Sequence, residues 1–118
     1  MLFLDERRFE HYLDHQALMA VENFSLSAVL KIPRPLDRAF HSLVVASEVL
    51  SFRRENGEHS RPIAHPASVD LLRSCRETVA SIRATILREN LVTRRFVEIL
   101  ERVETKIESM SSMSSTVN

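Results

Sequence analysis

A chain of 118 residues with 44% hydrophobic and 27% charged side chains has room for one domain with a single core. Its one glycine, Gly57, excludes a phosphate-cradling glycine loop, and with it P-loop and dinucleotide-binding readings, and leaves few tight hairpins. Sixteen basic residues balance sixteen acidic ones, which removes the simplest case for a nucleic-acid binder, and the lone Cys75 excludes an internal disulfide or a cysteine-based zinc site.

The fold class expected is all-α: a helical bundle of four to five amphipathic helices with a long C-terminal helix or helix pair. One domain is expected over 1–108, followed by a flexible Ser/Met-rich tail over 109–118. Charges at Asp5, Glu6, Arg7 and Arg8 fall too early for a signal peptide. No apolar run approaches the roughly 20 residues that span a bilayer. The expected location is the cytoplasm, or the host-cell cytoplasm for a viral protein.

In chain order, a first helix should begin near Asp5. Phe9, Leu13, Ala17, Ala20, Val21 and Phe24 recur at helical spacing and line one face. Ser25 is placed to cap a short continuation carrying Leu26, Val29, Leu30 and Ile32, which Pro33 and Pro35 end. Asp37 then caps a helix through Phe40, Leu43, Val44, Val49 and Leu50 to about Arg54. Residues 55–67 hold the glycine and two prolines and read as a loop.

Ser68, with Asp70 in the following turn, opens the segment with the clearest pattern. Leu72, Cys75, Val79, Ile82 and Ile86 alternate spacings of three and four, a heptad-like seam. Glu89 breaks the register, and a second seam follows: Val92, Phe96, Ile99, Val103, Ile107 and Met110. Arg88-Glu89-Asn90-Leu91 is either a turn between two helices or a place where one helix rotates its apolar face; Asn90 favours the turn. An isolated helix cannot bury both seams, so a homodimer is expected, with Leu72, Cys75, Val79, Ile82, Ile86, Phe96, Ile99 and Val103 as its dimer or core seam.

Charge is unevenly spread. Residues 31–54 carry five bases against two acids, and 68–95 carry six Arg against three acids; 96–110 reverse to four Glu against two bases. Fourteen of the sixteen bases are Arg, which suits planar contacts with carboxylate or phosphate, although codon usage produces the same bias. Arg73, Arg76 and Arg83 lie opposite the first seam with Ala80 and Ala84 near them, a face that could approach a phosphate backbone or an acidic protein surface. The bland reading is a solvated helix face.

His11 and His15 stand four apart and would share a helix face, with His41, His59 or His65 available as a further metal ligand. By number, a solvated face is the commoner meaning of that spacing, and no metal or cofactor is assigned. Arg8 with His15, and Arg54 with His59, resemble the Arg-x4-6-His motif of HEPN-domain ribonucleases, compact helical dimers. That resemblance implies phosphate stabilisation by arginine and proton transfer by histidine. Phe9 stands where those enzymes usually carry a polar residue.

The order of elements from Leu36-Asp37-Arg38 to Phe52, through a proline-containing loop, then Leu72 through Cys75 to Leu91 and on to Val97 and Leu100, resembles the RNA-silencing suppressors of insect nodaviruses. Those are small helical dimers lying along double-stranded RNA, so the resemblance implies sequence-independent RNA binding. Aligned on Cys75, two basic positions of their RNA-facing helix fall on Thr78 and Thr85, and the first thirty residues have no counterpart. The reading that follows is a non-enzymatic regulatory or adaptor protein, self-associating, that binds an acidic protein surface or nucleic acid through Arg73, Arg76 and Arg83. Silencing-suppressor-type RNA binding and a HEPN-like ribonuclease are its alternatives.

Overall fold

Helix α1 spans Leu2–Phe9 and ends where Glu10 turns into the left-handed region at φ 52°, its amide still bonded to the Glu6 carbonyl at 2.9 Å. The computed structural model describes residues 2–56 and 68–117, with side chains over 5–56 and 68–110. Past Glu10 the chain is extended. Leu13 N–H donates to the Leu91 carbonyl and Thr93 N–H to the His11 carbonyl, each at 2.9 Å, closing an antiparallel bridge between Tyr12 and Val92.

The long first helix expected through Phe24 is therefore absent. Asp14 Oδ1 accepts the amides of Gln16 and Ala17 at 3.0 and 3.1 Å and starts a 3-10 turn over Ala17–Met19; a second turn covers Val21–Asn23. A short polar side chain that captures nearby amides competes with the helix. The face drawn through Phe9, Leu13 and Val21 is exposed.

The helical continuation expected from Ser25 is instead a two-stranded hairpin, β1 (Ser25–Leu26) antiparallel to β2 (Pro33–Arg34). Ser27 organises its turn: its amide donates to the Ile32 carbonyl, its carbonyl accepts from Lys31, and its hydroxyl accepts from Leu30. Lys31 takes φ 60°, a conformation that costs a non-glycine residue and persists because these bonds surround it. This hairpin is the departure from an all-α architecture, and the remaining elements are helical.

Helix α2 (Leu36–Asn56) starts on the Pro35 carbonyl, which accepts the Arg38 and Ala39 amides at 2.9 Å, with Asp37 in the first turn. Most of the loop expected over 55–67 lies outside the described residues. Helix α3 (Ser68–Arg88) and helix α4 (Arg94–Val117) are separate, so the register break at Glu89 is a turn. The backbone of α4 is helical as far as Val117.

Cross-element bonds give the directions. Arg53 Nη1 reaches Ser68 Oγ at 3.3 Å, joining the end of α2 to the start of α3; Arg83 pairs with Glu104 and Arg76 with Glu108, joining α3 antiparallel to α4. Phe40 stacks on Phe96 with centroids 4.3 Å apart, and Lys106 meets Glu48 at 3.1 Å, so α2 and α4 run parallel. The core lies between the three long helices: Leu36, Phe40, Leu43 and Leu50 of α2 meet Leu71, Cys75 and Ile82 of α3 and Phe96, Leu100 and Ile107 of α4. Leu72, Val79, Ile86, Ile99 and Val103 belong to this core or pack against it. Both seams are thus covered within one chain.

Candidate functional site

The arginines singled out on α3 are not a bare cationic face. Arg83 donates through Nε to Glu104 Oε1 at 3.1 Å and through Nη2 to the same oxygen, and that hydrogen bond raises its pKa. Arg76 lies 3.8 Å from Glu108, and Arg73 lies 3.6 Å from Asp70 one turn earlier. The acidic run of 96–110 and the basic run of 68–95 face one another across the α3–α4 contact. Ala80 lines a shallow groove of about 280 Å³ between these pairs. Thr78 and Thr85, on the positions aligned with RNA-facing bases, are 0% and 3% exposed. Thr85 Oγ1 donates to the Ser81 carbonyl and meets Ser25 Oγ at 3.0 Å, because β1 packs over this side of α3.

His11 and His15 do not share a helix face, since α1 has already ended. His15 is exposed; His11 is 1% exposed, its Nε2 2.7 Å from Asp5 Oδ1, its ring edge-on to Tyr12 and Phe96. Arg95 grips the same carboxylate through Nε at 3.0 Å and through Nη2. That hydrogen bond foremost, against the opposing effect of burial and with His11 adding, holds the Asp5 carboxyl far below the usual aspartate range. Arg8 stands in the last turn of α1 with its guanidinium 5.3 Å from the Phe9 ring, and Arg95 approaches the same ring at 4.7 Å. His59 and His65 lie outside the described residues, and among the described ones no group of three His, Cys, Asp or Glu could hold a metal. Cys75 is buried, and loss of solvent pushes its thiol up to about 12, so no thiolate is available at neutral pH.

A further concavity lies at the end where α1, the hairpin and the start of α2 meet. It is a cleft of about 450 Å³. Tyr12 and His11 contribute from the extended stretch, Val29 and Leu30 from the hairpin turn, Arg34 from β2, and Arg38 and His41 from α2; Glu6 and Asp37 also line it. Among the described residues Arg34 and Arg38 make no ion pair, nor do Lys31, Arg88 and Arg102, none of which lines this cleft, whereas Arg73, Arg76, Arg83, Arg94, Arg95 and Lys106 each do. Tyr12 is 7% exposed, and burial foremost, then Asp37 and Glu6, raises its pKa, so it remains a protonated phenol. Among the described residues its hydroxyl makes no hydrogen bond, and His11 Nδ1 is buried without a partner. The serines of the cleft are committed: Ser42 Oγ donates to the Ala39 carbonyl and accepts from Ala28 N–H, and Ser27 Oγ holds the hairpin turn.

Of this site, the sequence shows the excess of bases over 31–54, and it offers His11 and His41 only as candidate metal ligands. The spacing of Arg34, Arg38 and His41 across Pro35 gave no sign that a hairpin would fold them onto Tyr12. Comparison with protein-family models, with curated proteins and with solved structures finds no match. No helix among the described residues is long and apolar enough to cross a membrane.

Proposed function

We propose that the chain is a non-enzymatic helical adaptor that recognises a partner protein through its N-terminal third. The observation that carries the reading is the contrast between the two basic regions. Arg34 and Arg38 reach one concavity without a carboxylate partner among the described residues, while Arg73, Arg76 and Arg83 are paired. The same third of the chain carries exposed Leu13, Met19, Val21, Leu30 and Ile32, and exposed apolar side chains concentrated in one region favour a protein contact. Committed serines and a buried thiol argue against nucleophilic chemistry in the cleft.

Sequence-independent RNA binding is the weaker reading for two reasons. The hairpin covers Thr85, Thr78 is buried, and Glu6 and Asp37 would repel a phosphate backbone from the cleft. A ribonuclease reading has less support: Arg8 and His15 do not stand on one helix, and His59, the partner of Arg54 in that motif, lies outside the described residues.

A gel shift with random RNA duplexes at several salt concentrations tests the choice. No retardation at low salt is expected; tight binding that weakens steeply with salt would overturn the proposal. Photo-crosslinking from position 30 should give protein adducts that position 84, on the exposed side of α3, does not. Equal adducts from both positions would count against an N-terminal recognition surface.

A further inference from the structure

We infer that the cleft is a docking site for a partner segment that presents one carboxylate beside an apolar side chain. The inference rests on the adaptor reading and names what that surface accepts.

Charge decides the occupant. Arg34 and Arg38 come from different elements, flank Asp37 in sequence, and among the described residues neither pairs with it or with Glu6. Glu6 and Asp37 line the same cleft without pairing with either arginine, so both guanidinium groups keep donors open, and an incoming carboxylate accepts charge-assisted hydrogen bonds from them. Tyr12 adds a phenolic O–H that has no protein acceptor among the described residues. Solvent still reaches this hydroxyl, so a ligand oxygen would replace water as its acceptor.

The remaining wall fixes the rest of the segment. Val29 and the half-exposed Leu30 offer apolar surface beside the arginines, continued by exposed Ile32. Glu6 and Asp37 line the same space and disfavour a run of negative charge, so the site selects a single acid whose neighbours bring amide or ammonium donors. A peptide meets that description; a polyphosphate does not.

The experiment uses the full chain and two C-terminally amidated hexapeptide pools carrying an uncharged fluorophore, Gly-Leu-Glu-X-Leu-Gly with X any residue except Asp and Glu, and its counterpart with Gln for Glu, read by fluorescence polarisation. The Glu pool is expected to bind about tenfold more tightly than the Gln pool, and the preference should vanish in the R34A/R38A variant and persist in R73A/R83A. Arg38 is exposed, so R38A alone supplies a variant whose folding is not in question, checked by circular dichroism. Equal affinity for both pools, a preference that survives R34A/R38A, or no binding of either pool at millimolar concentration would overturn the inference. Protein adducts from position 30 that persist undiminished in R34A/R38A would overturn it while leaving the adaptor reading in place; RNA duplexes bound through Arg34 and Arg38 would overturn both.

Discussion

Asp5 joins three parts of the molecule through one carboxylate: α1, which carries it, the extended stretch through His11, and the first turn of α4 through Arg95. A carboxylate at a helix start is also favoured by the exposed amides there. Because its folded pKa lies below the unfolded value, the unfolded chain takes up a proton more readily. The stabilisation is complete above the ordinary aspartate range, about pH 4, and is lost as pH falls through it toward the lower folded value. Thermal melts from about pH 6 down to about pH 2 should show the wild-type midpoint falling more steeply than that of Asp5→Asn. Parallel profiles would show that this carboxylate does not couple to folding.

Between residue and fold, the junction of α3 and α4 has the most to hold. Thr93 caps α4: its Oγ1 accepts the Phe96 amide at 3.3 Å and donates to the Glu10 carbonyl at 2.7 Å, so a single hydroxyl starts one helix and ties down the chain leaving another. Thr93→Ala removes both bonds and should cost about 1–2 kcal/mol in urea unfolding. Thr93→Ser, which keeps the hydroxyl, should recover most of that loss. An alanine variant as stable as wild type would mean that the bridge between Tyr12 and Val92 holds the junction without the cap. The hairpin is held in the same manner, by Ser81 Oγ accepting from Leu26 N–H and Ser42 Oγ accepting from Ala28 N–H. Short-chain hydroxyls on α2 and α3 thus fix the segment that forms one wall of the cleft.

For the whole molecule, the consequence of three packed helices is that the apolar seams are already satisfied. Ile82, Phe96, Leu100 and Ile107 are fully or almost fully buried by the rest of one chain, so a dimer through these residues would have to unpack the core. Sedimentation at micromolar concentration should therefore show a 13.6 kDa species. A species of twice that mass would place the contact on side chains outside this core.

Leu72 to Met110 could be read from the sequence because the pattern there is local: apolar residues recur once per turn, and a glutamate in the wrong register marks the break between α3 and α4. Residues 10 to 35 could not. Leu13, Ala17, Val21 and Phe24 keep helical spacing, yet Asp14 diverts two amides, Glu10 turns left-handed, and partners that fix this segment lie in other elements, Ser42 in α2, Ser81 and Thr85 in α3, and Thr93 beyond it. The positions of the arginines were visible, and so was their separation from the acids of α4. Whether each met a carboxylate was not, since pairing depends on which helix faces which. Periodicity determined the three long helices; long-range packing alone decided where the N-terminal third lies and which bases it leaves unpaired.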